Sequence, residues 1–378
     1  MAAIDVRASG IALPILACFG GGSLYGWSGY LPAVQAAYGL SYASVSMVFS
    51  LAIASFTLGV LFGPAVIARL PGEVRLAALA AAALVCLLVA SLSPTFPLFV
   101  AAYGAGFGAI SGAIYNHALS EASKKLRATL FVPVTVAAFG LGGALFGPLA
   151  NWLGAGGWGL WSTAPAALCL AVTAALSFAI RPAHHRDRAE GGEPSAGLSF
   201  PERNGVAMWA IFACGSLSGL VVLGFSAQIL STSATPALAG LAIFLAAAGN
   251  TLGRLAAAPM ARLLAPASAV AMALAITGAA VACLIFAEGH GAAVAFLFLA
   301  AFGYGNLASN MPLLVKARLG VAGFSAAFGW VFTGWGVAGL AGPWGAGYIL
   351  DVTGGFRLVL VACLAASLIG LLLSLRLR

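Results

Sequence analysis

Twelve runs of about 17 or more mostly apolar residues follow one another along the chain, and they constrain the fold more than any other feature. They lie at roughly 9–34, 43–68, 76–92, 96–120, 129–154, 158–180, 206–230, 237–261, 268–287, 292–315, 324–349 and 357–375. A helix that crosses a bilayer needs about 20 such residues. Only 7% of the 378 residues are charged, while 62% are hydrophobic. Soluble domains carry about 25% charged residues, so this chain lacks the polar surface to cover a globule in water. The 49 glycines suit closely packed membrane helices. The composition predicts an all-α membrane protein with twelve transmembrane helices. It excludes a soluble enzyme, a disordered chain and a nucleic-acid binder. The first run lacks a basic leader and a small-residue cleavage site, so it is expected to remain as the first helix.

The formal charge of +8 reports topology. Of the 17 basic residues, all but Arg254 and Arg357 fall at alternating ends of the runs that share one side, from Arg7, Arg69 and Arg75 through Lys124, Lys125 and Arg127 to Arg376 and Arg378. The positive-inside rule then places both termini in the cytoplasm. Lipid headgroups suffice as the anionic partner of that rim, and no nucleic-acid partner is needed. Arginine far outnumbers lysine in an alanine- and glycine-rich chain, which points to a GC-rich bacterial genome and an inner (plasma) membrane. The six cysteines (Cys18, Cys86, Cys169, Cys214, Cys283 and Cys363) all lie within predicted spans without metal-ligand spacing, and read as reduced packing residues. No cofactor or metal is expected, and a monomer is.

The longest polar stretch, 181–205, is charged and contains Gly, Pro and Ser, with His184 and His185 in its first part. It reads as a solvated cytoplasmic linker. It divides the chain into a six-helix unit at 1–180 and a second at 206–378. The two units resemble each other in order. Gly22–Gly26 (GSLYG) recurs as Gly215–Gly219 (GSLSG), Ala68-Arg69-Leu70 as Ala261-Arg262-Leu263, Ala101–Gly106 as Ala300–Gly305, and Gly147-Pro148 as Gly342-Pro343. Four matches at nearly one offset indicate an internal repeat. Six spans per unit give parallel topology. Two parallel six-helix bundles about an axis along the membrane normal are the major facilitator architecture, with a binding site near the midplane and alternating access by rocking. In the fifth span, Gly143-x-x-x-Gly147-Pro148 sets two glycines on one face beside a proline. In the eleventh, Ala338-x-x-x-Gly342-Pro343 repeats the device. Both are candidates for gating or for static small-residue packing.

Arg254, in the eighth span, is the one charge well inside a run. Arginine near a helix centre costs about 2.5–3.5 kcal/mol or more in hydrocarbon, so it must face protein or water. It lies eight residues deeper than Arg262, about 12 Å. A snorkelling side chain covers part of that distance. The alternative is an anion site, since a guanidinium grips a carboxylate with two parallel hydrogen bonds. Asn250 lies one turn earlier on the same face. No span contains an acidic residue to serve as a permanent counter-ion, and an unpaired buried cation is costly. In the fourth span Tyr103, Phe107, Ser111 and Tyr115 recur every fourth residue as a gently drifting stripe. In the tenth, Asn306 and Asn310 share a face, with Tyr304 about 200° round from Asn306. The first span carries Tyr25 and Trp27, and the eleventh Trp330 and Trp335. For each aromatic, packing and substrate contact both remain open. His117, beside Glu121, reads as an interfacial histidine or a proton relay.

Three stretches resemble the major facilitator superfamily, and within it the oxalate/formate antiporter and monocarboxylate transporter group. They are Tyr25-Gly-Trp-Ser-Gly-Tyr-Leu-Pro-Ala-Val-Gln with Tyr38-Gly-Leu-Ser, Gly249-Asn-Thr-Leu-Gly-Arg254, and Tyr304-Gly-Asn through Met311-Pro312 to Phe328–Pro343. The resemblance implies that Arg254 binds the substrate carboxylate, that Asn250 is its polar partner, and that Tyr304 matches the group's tenth-helix tyrosine. Tyr115, Trp335, Asn306 and Asn310 complete the expected substrate set. Gly143, Gly147, Pro148, Gly342 and Pro343 form the expected gating set. The chain departs from the group in three places. Trp335 stands where oxalate-type members carry a lysine, which argues against a dianion. No aspartate accompanies Arg254. Ala68 and Ala261 replace the aspartate of the superfamily's loop signature. The reading is a secondary carrier of a small organic anion, a monocarboxylate above all, coupled to a proton, a counter-anion or nothing. A drug exporter of the same fold and a non-transporting membrane sensor are the competing readings. No nucleophile–base, metal-ligand or phosphate-loop constellation supports an enzyme.

Overall fold

The structure is a computed structural model that describes residues 6–124, 128–180, 203–230, 234–319 and 324–377. All of residues 181–202, including His184 and His185, lie outside the described residues, as do Lys125 and Arg127. Eleven helices are long and apolar enough to cross a membrane: α1 (Gly10–Tyr38), α2 (Tyr42–Ile67), α3 (Gly72–Ser91), α4 (Phe96–Ser123), α5 (Phe131–Gly156), α6 (Leu160–Ala179), α7 (Asn204–Ile229), α8 (Pro236–Leu263), α9 (Pro266–Ile285), α10 (His290–Arg318) and α12 (Arg357–Leu375). Between the last two runs α11 (Phe324–Thr353), as long as any. Each of the twelve expected runs is therefore a helix, with ends shifted by a few residues. No strand occurs among the described residues. The architecture is that of an all-α membrane protein.

Local chemistry fixes the helix ends. Ser41 caps α2 by accepting the Ser44 N–H at 3.3 Å, and Thr235 caps α8 by accepting from Leu238, with Pro236 in the first turn. Gly39 closes α1 at φ 62°, a left-handed conformation that costs a side-chain-bearing residue more. The outer surface is apolar. Leu58, Phe62, Leu168 and Leu372 are each more than half exposed, an arrangement that suits a lipid environment. All six cysteines are free thiols.

The packing places the interior. Within residues 6–179, α1 lies on α5, α2 on α4 and α3 on α6; within 203–377, α8 and α9 both lie on α10, and α7 on α11 and α12. The two sets meet where α2 runs along α11, α5 along α8, and the second half of α1 against α7. The α1–α5 contact is close because glycines form it. A Cβ at Gly22 would strike the Phe139 carbonyl, and one at Gly26 would come within 2.8 Å of the Gly147 backbone. On the other side, Gly249 and Gly253 bring α8 against the carbonyls of Phe298 and Phe302 on α10.

Besides the 3-10 turn that ends α5 at Gly154–Gly156, three helices depart from α geometry within their length among the described residues. A 3-10 turn spans Gly22–Gly26 in α1, a π-helical stretch spans Val100–Phe107 in α4, and α7 breaks at Phe225 (φ −133°, ψ 18°). Such distortions in long helices collect where function or tight packing demands them.

Candidate functional site: an arginine in an aromatic chamber

Arg254 sits on α8, nine residues before the helix end at Leu263, a depth of about 14 Å. Its Nε donates to Asn250 Oδ1 at 3.1 Å, which the one-turn spacing permits. Its Nη2 donates to the Tyr25 hydroxyl at 3.3 Å, across the meeting of the two helix sets. The guanidinium carbon lies 5.9 Å from the centre of the Tyr25 ring, within cation–π range. The Tyr115 hydroxyl also faces the guanidinium. Arg254 is half-buried, whereas Asn250 and Tyr304 are wholly buried.

Aromatic rings from both sets pack around Arg254. Tyr25 meets Phe139 edge-on at 4.9 Å, and Tyr115 meets Phe139 at 5.4 Å. Phe56 touches Tyr115, Phe139 and Trp335 at 5.3–5.6 Å. Trp335 Nε1 donates to the Tyr304 hydroxyl at 2.6 Å. Thus α1, α2, α4 and α5 supply one wall, and α8, α10 and α11 the other. Phe56 and Phe139 were not legible as site residues, because a phenylalanine in a membrane helix carries no signal that separates a chamber wall from ordinary packing.

Two features leave the chamber electrically incomplete. The acidic residues among the described ones, Glu73, Glu121, Glu288 and Asp351, all stand at or beyond helix ends, so the partners of Arg254 are neutral. Glu121 pairs with Lys124 at 3.0 Å. Asn250 Nδ2 is buried with no hydrogen-bond partner, its Oδ1 being taken by the guanidinium. A buried amide left unpaired costs about 1–3 kcal/mol. A guanidinium with neutral partners and, one turn away on α8, an amide N–H without a partner are therefore the unsatisfied donors of this region. No cluster of His, Cys, Asp or Glu able to hold a metal occurs among the described residues.

The remaining expected site residues fall elsewhere. Asn306 Nδ2 donates to the Gly253 carbonyl at 3.2 Å and to Met260 Sδ at 3.0 Å, while Asn310 Nδ2 donates to the Asn306 carbonyl and side chain. Both asparagines therefore belong to the α8–α10 seam. Tyr304, on the other face of α10, turns to Trp335 and packs its ring on Gly219. The stripe along α4 faces α1: Tyr103 meets Trp27 and Tyr30, Ser111 lies by Gly21, and Tyr115 neighbours Tyr25, so only its last member reaches Arg254. The two gating motifs also pack differently. A Cβ at Gly143 would come to 2.7 Å from Tyr25 Cβ, and one at Gly147 to 2.5 Å from Ile243 Cγ2 and 2.9 Å from Gly26 Cα. A Cβ at Gly342 would meet Leu217 and Val221 at an ordinary 3.5 Å. The repeated sequence in α11 is thus not a repeated contact. Pro148 lies beside Gly240 at the α5–α8 meeting, and Pro343 precedes Trp344, whose N–H donates to Ser50 Oγ on α2 at 2.9 Å.

Away from the basic loops, the two sets are stitched by polar bonds. The Phe225 break in α7 turns the Ala227 N–H to Ser28 Oγ (3.0 Å), and Ser28 Oγ donates to Gln228 Oε1 (2.8 Å). Gln228 Nε2 donates back to the Ser28 carbonyl at 3.1 Å. The Asp351 carboxylate at the end of α11 accepts the Tyr42 and Ala43 N–H groups at the start of α2, at 2.9 and 2.8 Å. Asn151 Nδ2 donates to the Pro236 carbonyl at 3.1 Å. No family model matches the chain, and no curated protein matches it.

Proposed function

We propose that the protein is a secondary carrier that moves a small organic monoanion, a monocarboxylate above all, across the membrane by alternating access. The observation that carries this reading is Arg254. It lies deep in the helix set with only neutral partners, beside an unpaired Asn250 amide N–H. A carboxylate would accept from both and remove two costs at once. The proposed site is Arg254, Asn250, Tyr25 and Tyr115, closed on the far side by the Tyr304–Trp335 pair. One fixed cation matches one negative charge, so a dianion such as oxalate would bring a second, unmatched charge into an aromatic chamber.

This reading rests on the resemblance to the oxalate/formate and monocarboxylate group and to the two-bundle major facilitator fold. It adds an orientation with both termini in the cytoplasm of a bacterial inner membrane. The stitched end would then face outward, and the chamber would open inward. The carrier needs no cofactor and works as a monomer, and a proton or a counter-anion is the available coupling partner. The test is uptake of labelled lactate, pyruvate, formate and oxalate into proteoliposomes, with Arg254→Ala and Arg254→Lys alongside. The proposal expects saturable uptake of a monocarboxylate, little of oxalate, and loss of uptake in Arg254→Ala. Uptake unchanged by Arg254→Ala contradicts it.

A further inference from the structure

A second group of buried polar atoms lies within residues 6–179 and takes no part in the Arg254 chamber. Ser23 sits in the 3-10 turn of α1, Trp27 and Tyr30 follow it on the same helix, and Tyr103 sits in the π-helical stretch of α4. All four residues have no solvent exposure. The Trp27 and Tyr103 rings are 5.3 Å apart, and those of Tyr30 and Tyr103 6.1 Å. The Tyr30 hydroxyl faces Ser23 and neighbours Tyr103. Ser23 Oγ, Trp27 Nε1, Tyr30 Oη and Tyr103 Oη all lack a hydrogen-bond partner.

One such atom costs about 1–3 kcal/mol, and four on neighbouring side chains are more than folded interiors ordinarily sustain. A lipid environment supplies no alternative partner. The backbone points to the same spot, since the cluster joins the 3-10 turn of α1 to the π-helical stretch of α4. Phe49, Phe99 and Trp158 wall the cluster, and no charged side chain enters it. An ion there would be desolvated without a counter-charge. Three hydroxyls that both donate and accept, with one indole N–H that donates, match water, which takes about three partners in such sites.

We propose that Ser23, Trp27, Tyr30 and Tyr103 form a buried water site that bridges the 3-10 turn of α1 to the π-helical stretch of α4. The water ties these two segments together, so that Tyr25, two residues from Ser23, is held toward Arg254 by a hydrated joint rather than by apolar packing alone.

Radiolytic hydroxyl labelling of the purified full-length protein tests this, because radicals formed from bound water mark adjacent side chains whatever their exposure. The proposal expects Tyr30 and Tyr103 to be labelled within about threefold of the half-buried Tyr38, as a resident water requires. Labelling at the background of the apolar core would overturn it. A second readout is the sign of a stability change. Tyr103→Phe removes a water ligand and lowers the melting temperature by about 2 °C if the site is wet. The same substitution raises the melting temperature if the hydroxyl is dry and unpaired, which would contradict the proposal. Stabilisation by chloride or bromide over gluconate that disappears in Tyr103→Phe would assign the site to a halide and likewise overturn the water.

Discussion

The two ends of the helix set are held by different means. At the end away from the basic loops, Ser28, Gln228 and Ala227 form a three-bond clasp, Asp351 caps α2, and Asn151 reaches the Pro236 carbonyl. Toward the basic end, among the described residues, the α2–α11 contact at Gly329 is looser. Residues 327–330 of α11 are half-buried, and a Cβ at Gly329 would stand 3.5 Å from Leu61. The difference teaches where movement is inexpensive. A neutral hydrogen bond contributes about 1 kcal/mol net, so each stitch is separable, yet together they hold one end shut. The break at Phe225 belongs to that stitching, because it presents the Ala227 N–H to another helix.

The contrast can be broken most severely at Gly147. A Cβ there meets α1 and α8 at once, so Gly147→Val is expected to cost about 3 kcal/mol, the upper range for overpacking, and to lower the melting temperature in detergent or prevent folded expression. Next is Ser28→Ala, which removes two of the three clasp bonds. With Ala227→Cys as reporter in a cysteine-free background, maleimide labelling is expected to rise about fivefold or more, the population shift for a loss of about 1 kcal/mol or more. Asp351→Asn keeps one acceptor and loses the charge at the α2 N-terminus. Its effect is smaller, about twofold in the same labelling, as a charge–dipole term of 0.3–1 kcal/mol implies. The smallest effect is expected at the looser positions. Gly329→Ala and Gly342→Ala fill ordinary contact space and should change the melting temperature by no more than about 1 °C. Equal destabilisation by Gly147→Ala and Gly342→Ala would remove the distinction between the two glycine–proline motifs.

Much of this architecture was legible in the residues. A bilayer imposes length and apolarity on every span, so the twelve helices could be read directly, α11 among them. Arg254 was legible because a charge in such a run needs an explanation, and Asn250 because helix spacing places it one turn away. The distortions at Gly22–Gly26, Val100–Phe107 and Phe225 were not, since they arise from packing between helices distant in sequence. A regular wheel of α4 gave the face shared by Tyr103, Ser111 and Tyr115, but not that Tyr115 alone comes to Arg254. Gly342 repeats the sequence around Gly147 but not its neighbours, because close approach depends on what the facing helix offers. The clasp at Ser28 and Gln228 carries no local signature.

The central claim is that Arg254 holds the carboxylate of a transported monoanion. It is tested most directly by measuring lactate, pyruvate and formate flux in proteoliposomes carrying the parent protein or Arg254→Ala at equal folded content. The account predicts saturable flux of at least one monocarboxylate that falls at least about a hundredfold in Arg254→Ala, the loss expected when a charge-assisted bidentate contact worth about 3 kcal/mol is removed. Flux that survives the substitution at the parent rate would contradict it.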